Sequence, residues 1–409
     1  MRSGKREKNP STGMAKAVAL FYFTAFLLLG LRDMQWQGFA LAVGVPMVIF
    51  IGTQVMDKVL HVDSLYLSLT NFLCALGILV LYDTKPALAY HQLIYYGLGI
   101  VFMVLCIYVI RFFQTFRYVI WLITLGALGF LVLPLVMGRE VYGARNWVFV
   151  GSYSFQPSEF VKIALLIILS YFMSRRRMLP WLVIAVACLG LLMLQKDLGT
   201  ALLYYGVTLM LYYAATANLP VTALGLMGGA GAAVMGYRMF AHVKRRVAIW
   251  RNPFADYDNA GYQIVQGLMA LASGNLFGVG LGLGSPTTIP VYETDFIFAV
   301  ICEQFGLIFG LCVLMVYAAM VWRGITIAMA ARTSFHGLLA LGASLMLGLQ
   351  TFVIIGGVVK LIPLTGVTLP FVSSGGSSML SSLGLTGLIQ GVASINEDHY
   401  KADVKMTDF

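Results

Sequence analysis

Charge is the scarcest commodity in this sequence. Of its 409 residues only 11% are Asp, Glu, Lys or Arg, against about 25% in a soluble globular domain, whose surface has to be solvated. With 60% of the residues hydrophobic, a water-soluble fold would expose far too much apolar surface, so a soluble enzyme is excluded. Cysteine is sparse as well. Cys74, Cys106, Cys188, Cys302 and Cys312 all lie in apolar runs without metal-ligand spacing, which argues against disulfides and zinc. A phosphate-binding Gly-x-x-x-x-Gly-Lys loop, a His-Glu-x-x-His helix and a Cys-x-x-Cys pair are all missing. The chain therefore shows no means of using ATP, and any reaction must be driven by its substrate or by a gradient. A cleavable leader is not evident either. The first apolar run, over 17–31, ends in Leu-Arg-Asp-Met-Gln without a small-residue cleavage pattern, and it reads as a membrane helix.

What the chain has in abundance is long apolar runs. Crossing the hydrocarbon takes about 20 residues of helix. That ruler predicts an all-α polytopic membrane protein with spans near 16–31, 38–56, 65–82, 92–110, 117–137, 158–174, 179–195, 198–216, 220–240, 295–321, 334–359 and 377–394. Cations gather in alternate connectors: Arg2, Lys5, Arg6 and Lys8, then Arg111 and Arg117, Arg175, Arg176 and Arg177, Arg323 and Arg332, and finally Lys401 and Lys405. The positive-inside rule puts both termini in the cytoplasm, and it accounts for most of the net charge of +10 without a nucleic-acid partner. On the opposite side, 138–157 and 241–294 are too long to be simple connectors. The apolar stretches 264–271 and 276–283 inside the second loop predict pieces lying at the interface. Whatever chemistry exists is expected on the outer face.

Several polar residues sit where polarity is costly. Glu159 and Lys162 are three apart at the start of an apolar helix and share a face. They read either as a self-satisfying ion pair or as the lining of a polar cavity, which Asp197 joins from the next helix pair. Asp295 ends the long loop where an apolar helix begins. It reads either as a helix cap or as a carboxylate whose pKa burial raises into the range of a general base. The basic run Arg238, Lys244, Arg245, Arg246 and Arg251 reads as a solvated or headgroup-facing surface, or as a phosphate site. Asp256-Tyr257-Asp258 looks like a metal-held nucleotide-sugar site but lies on the side away from nucleotide pools. Gly278, Gly280, Gly282 and Gly284 alternate in a way that permits a tight turn, and Gly225 with Gly229 predicts close helix packing. The run 373–378, which includes Ser377, precedes the last helix, either as a flexible entry or as an anion cradle.

Taken together, several of these segments resemble one family. Gly143-Ala144-Arg145-Asn146-Trp147 with 155–162, Asp197-Leu198-Gly199-Thr200, Gly261-Tyr262-Gln263, Gly278 to Gly282, Thr294-Asp295-Phe296, 362–372 and 375–378 follow the order and spacing of the SEDS family, the FtsW/RodA/SpoVE group, from about residue 65 to 395. The resemblance divides the chain into a basic tail over 1–15, two additional helices over 16–64, a SEDS-like core over 65–395 and a tail over 396–409. It departs from the family pattern at Lys196, Ser374, Ile354, Cys302 and Gln304.

The resemblance implies a glycosyltransferase that polymerises lipid II into β-1,4 glycan strands on the outer face of a bacterial cytoplasmic membrane, in elongation, division or sporulation. It maps the family's catalytic aspartate onto Asp295, its polar-cavity residues onto Glu159, Lys162 and Asp197, and a first-loop motif onto Arg145 and Trp147. The inverting displacement it implies needs one general base and a counter-charge for the departing pyrophosphate. That charge comes from a divalent ion (Mg or Mn) or from Lys162, Arg245 and Arg246. The expected partners are lipid II with the growing lipid-linked strand, and a class B penicillin-binding transpeptidase. Competing readings are a lipid II flippase and a non-catalytic scaffold for such a transpeptidase.

Overall fold

The computed structural model describes residues 10–113, 118–141, 143–151, 153–257 and 261–407. Arg2, Lys5, Arg6, Lys8, Arg117 and Asp258 lie outside the described residues, and of Lys405 only the backbone is described. The helices in chain order are α1 (Pro10–Asp33), α2 (Trp36–Leu60), α3 (Ser64–Thr84), α4 (Pro86–Phe113), α5 (Val119–Met137), α6 (Pro157–Ser174), α7 (Met178–Leu194), α8 (Leu198–Thr216), α9 (Leu219–Met239), α10 (Ala241–Arg251), α11 (Tyr262–Ser273), α12 (Ile297–Met329), α13 (Ser334–Val358) and α14 (Gly376–Thr407). Each expected span coincides with a helix. Eleven are long and apolar enough to cross a bilayer. The twelfth, α7, has 17 residues, which reach ~26 Å at the helical rise and fall just short of the hydrocarbon thickness. The last helix continues through most of the expected tail, to Thr407.

Local signals start the helices where the sequence places them. Asp63, Asp197, Asn218 and Thr333 each accept a hydrogen bond from the backbone N–H three residues on, capping α3, α8, α9 and α13. Pro157 opens α6, where its missing N–H costs nothing. Between α5 and α6 the chain forms a small antiparallel meander, β1 (Arg139–Val141), β2 (Ala144–Val150) and β3 (Tyr153–Phe155), in the order β1-β2-β3. Arg139 stands opposite Trp147, and Phe149 opposite Ser154.

Packing separates central from peripheral helices. In α14 and α3, 89% and 83% of the spanning window is buried, against 11% in α9, whose apolar flanks are left exposed by the rest of the chain. Close approach of α14 to α4 rests on small residues: a Cβ at Gly387 would stand 2.6 Å from the Met103 carbonyl oxygen. Gly225 and Gly229 do the same for α9 against Leu209 and Tyr205 of α8, as their spacing predicts. The α1–α2 hairpin closes at Gly30 and Gly38. It then packs onto α3 and α12, with Tyr22 Oη donating to the Phe72 carbonyl at 2.6 Å and Phe21 against Phe72 and Phe309.

The long loop and the helix after it interlock. α12 is broken at Gly306, where φ is 86° and ψ 166°, a conformation only glycine adopts freely. The peptide groups freed at the break pair with the glycine turn. Val279 N–H donates to the Glu303 carbonyl at 2.9 Å, Gly280 N–H to that of Gln304 at 3.0 Å, and Leu307 N–H to that of Asn275 at 2.9 Å. A broken helix at membrane depth is tolerated only with such satisfaction. The stretch 264–271 falls in α11, whereas 276–283 forms this turn.

Candidate active site

Asp295 lies one residue before the N-cap position of α12, which Phe296 occupies without a side-chain cap. The capping alternative for this carboxylate therefore finds no support in the geometry. Its loop is fixed from the segment before α14: Ser373 Oγ donates to the Thr294 carbonyl at 2.5 Å, and Ser374 N–H to that of Glu293 at 2.9 Å. Lys85 Nζ anchors Glu293 at 2.9 Å. Three of the N–H groups in 373–378 are thus committed, since Ser373 N–H donates to the Leu369 carbonyl at 3.0 Å and Gly375 N–H to Gln92 Oε1 at 3.4 Å.

Opposite Asp295 stands Arg246. Both flank Gly366, where a Cβ would be 3.6 Å from Arg246 Nη2 and 3.9 Å from Asp295 Oδ2. Gly366 has φ +75°, a conformation that favours glycine, and a side chain there would touch both carboxylate and guanidinium. α10 presents Arg246 through two bonds on one helical face: Arg246 Nη1 to the Thr365 carbonyl at 2.7 Å, and Trp250 Nε1, four residues on, to that of Lys360 at 3.0 Å. Burial pushes the Asp295 carboxyl up to about 6, against the opposing pull of a hydrogen bond from Thr294 and the charge of Arg246. Burial likewise lowers the pKa of Arg246, while Asp295 and Asp197 act to hold its proton. His242, one turn before Arg246, is lowered by burial and then by Arg246 and Lys196.

The other predicted residues form two neighbouring clusters. Lys162, only 2% exposed, bonds Glu159 at 2.6 Å and Gln350 Oε1 at 2.9 Å, and Ser381 Oγ donates to Glu159. This arrangement is the self-satisfied ion pair of the two alternatives. Gln350 continues to the Thr368 carbonyl, and Thr368 Oγ1 meets Ser378 Oγ at 2.6 Å. Asp197 caps α8 through Thr200 N–H at 3.1 Å and also accepts from Asn146 and Gln156, each at 2.9 Å. Gln156 N–H reaches Ser377 Oγ at 3.2 Å. The first cluster braces, through Thr368, the segment 359–375 that also carries Thr365 and Gly366, and the second reaches Ser377 at the start of α14.

Not every predicted residue reaches this centre. Arg145 braces the first loop, its backbone N–H on the Gln195 carbonyl at 2.8 Å and its Nε on that of Gly138 at 3.0 Å, while Trp147 is half-buried in the meander. Arg245 is exposed, and its neighbour Arg246 is turned inward. His242, Thr365 and Gly366 were not singled out by the sequence, although the spacing of His242 and Arg246 places them on one helical face. Among the described residues no three His, Cys, Asp or Glu side chains converge on a metal position, and a cation, Arg246, faces the carboxylate. The donor set does not fit a protein-held divalent ion.

A family model described as "Cell cycle protein" and headed FtsW, RodA and SpoVE matches residues 65–398. The chain belongs to the FtsW/RodA/SpoVE family. The match begins within α3 and leaves α1 and α2 outside it. Within the family, the peptidoglycan glycosyltransferase RodA of Mycobacterium tuberculosis is 39% identical over 292 residues, covering 66% of this chain and 62% of that protein. The chain thus spans less than two thirds of that mycobacterial relative. Stage V sporulation protein E of Bacillus subtilis is 33% identical over 359 residues, covering 81% of this chain and 96% of that one. Among solved structures, a chain of a peptidoglycan synthase complex superposes with a TM-score of 0.67 at 26% identity, over 83% of this chain and 98% of its own. The rod shape determining protein RodA of Thermus thermophilus gives 0.62 at 27%, over 82% and 98%.

Proposed function

We propose that this chain is a peptidoglycan glycosyltransferase that polymerises lipid II into β-1,4 glycan strands. The observation that carries the reading is the placement of Asp295, a carboxyl raised to about 6 that shares the Gly366 position with Arg246, in a chain whose family relatives bear that activity in their names. Above that pH Asp295 is ionised and serves as a general base. It takes the proton of the acceptor 4-hydroxyl as the oxygen bonds to C1 of the donor muramyl unit. The bond from C1 to the pyrophosphate oxygen breaks, inverting configuration without a covalent enzyme intermediate. Arg246 supplies bidentate donors for the charge on the departing polyprenyl pyrophosphate. Lys162, spent on Glu159 and Gln350, holds the strand of chain behind the site, and Arg245 faces away from it.

The orientation that goes with this reading has both termini in the cytoplasm and Asp295 at the outer face. Arg175 to Arg177, Arg323 and Arg332 lie at the bundle end opposite Asp295, and the positive-inside rule assigns that end to the cytoplasm. A class B penicillin-binding transpeptidase is the partner, in keeping with the solved synthase complex. The test is polymerisation of labelled lipid II by the purified chain with its cognate transpeptidase, alongside Asp295→Asn. General base catalysis contributes about 10²–10⁴-fold, so the variant is expected to insert normally and make almost no muramidase-sensitive polymer. Near-normal polymer from Asp295→Asn removes the base assignment. No polymer from either protein, with the transpeptidase bound, favours the flippase or scaffold reading.

A further inference from the structure

The turn between α7 and α8 brings a further cation to one corner of the site. α7 ends at Leu194 and α8 begins at Leu198, at the same end of the bundle as Asp295. A Cβ at Gly199 would stand 3.1 Å from the Thr365 carbonyl oxygen, the acceptor on which Arg246 Nη1 rests at 2.7 Å. The turn is thus pressed against the anchor of Arg246. Within it Lys196 closes α7, its N–H donating to the Met193 carbonyl and Asp197 N–H to that of Leu192, each at 3.0 Å. Lys196 has φ +59°, at a position after a helix where glycine is the usual residue. Its side chain is 48% exposed and meets the still more exposed Glu140 at 3.9 Å, a pairing too loose and too wet to hold it. The same ammonium is felt on α10, where burial, then Arg246, then Lys196 lower the pKa of His242. Lys196 is also one of the positions at which the chain departs from the family pattern.

The polymerisation reading needs such a cation. A sugar joined to lipid through pyrophosphate carries a negative charge on each phosphate, and departure of the pyrophosphate adds another. Arg246 is offset by the ionised Asp295 with which it shares the Gly366 position. Lys162 is spent on Glu159 and Lys85 on Glu293. We propose that Lys196 binds the pyrophosphate of the lipid-linked substrate, taking the phosphate that Arg246 does not cover. A compact ammonium on a flexible stem suits an oxygen that gains charge as it departs. The inference rests on the polymerisation reading and adds to it a residue, and a preference for pyrophosphate over monophosphate.

The experiment uses the full chain in detergent, stripped of lipid, with bound lipid counted by native mass spectrometry. The probes are polyprenyl pyrophosphate and polyprenyl monophosphate of equal chain length. The wild type is expected to retain the pyrophosphate in preference. Lys196→Gly is expected to weaken the pyrophosphate about tenfold, one charge-assisted hydrogen bond's worth, and to leave the monophosphate nearly unchanged. Lys196→Arg should keep the preference, and so should Arg245→Gln, which removes a cation that faces away. Glycine suits the left-handed position, so Lys196→Gly should melt no lower than the wild type. The site is overturned if Lys196→Gly keeps the full preference, or melts lower and loses both lipids alike. An equal loss with Arg245→Gln also overturns it, by reducing the effect to a general positive field. In each of these cases a wild type that still polymerises lipid II withdraws Lys196 alone. A wild type without preference for the pyrophosphate overturns the site and takes the leaving group from the polymerisation reading as well.

Discussion

At the scale of single residues, the chemistry turns on how the Asp295 carboxyl is balanced. Burial raises its pKa to about 6, and Arg246 pulls it down. The base form is the ionised one, so polymerisation should fall as the pH drops through about 6. Removing the guanidinium takes away a force favouring the carboxylate. Arg246→Gln should therefore move the acid limb of the initial-rate profile to higher pH, and Arg246→Lys should leave it near the wild-type position. A limb that stays in place with Gln detaches Arg246 from the base. Sequence reasoning reached Asp295 from its place between an aqueous loop and an apolar helix, but left cap and base open. Only the backbone decides between them, by putting Phe296 at the N-cap. Arg246 was visible as one of a basic run and, level with Arg245 and Lys162, as a candidate counter-charge for the pyrophosphate. Which of two adjacent arginines faces inward depends on the phase of α10, and Trp250 on Lys360 sets that phase.

At the scale of elements, hydropathy made the membrane helices legible because each must satisfy its own backbone in lipid. It was silent on the two exceptions. Strands as short as β1 and β3, three residues each, give too few alternations to register. The break at Gly306 hides in a continuous apolar run, since its freed peptide groups are answered by a turn some thirty residues earlier in the chain. The alternating glycines of that turn were the readable half. Asp197 shows how one side chain can join elements: it caps α8 and holds Asn146 and Gln156 of the first loop. Asp197→Ala should cost about 1 kcal/mol for the cap and a further loss for two amides left without an acceptor. Its thermal unfolding in detergent should come at a clearly lower temperature. Asp197→Asn, which keeps a capping oxygen, should recover part of the difference. Identical melting of the two variants would mean that the cap is not what matters.

At the scale of the whole molecule, a bundle whose helices are apolar on every side gives little sequence indication of which will be central, because lipid and protein interior are equally apolar. The polar exceptions reveal the arrangement. Asp83 at the end of α3, its side chain 4% exposed, accepts from Arg32 of α1 at 2.8 Å and from Gln304 of α12 at 2.6 Å. Arg32 also lies where a side chain on Gly282 would be. The hairpin outside the family match is thereby fastened to the broken helix and its glycine turn. An exposed ion pair is worth little, and Arg32 makes one with Asp33, but a buried carboxylate robbed of its cation is costly. Arg32→Ala should therefore lower the melting temperature and speed proteolysis within 274–284, whereas Asp33→Ala should do neither. The penalty belongs to the stranded charge, so it should largely vanish in the Asp83→Asn background. If Arg32→Ala is as harmful there as in the wild type, the coupling through Asp83 fails, and the hairpin is held instead by contacts such as the Tyr22 bond to the Phe72 carbonyl and the packing of Phe21 on Phe72 and Phe309.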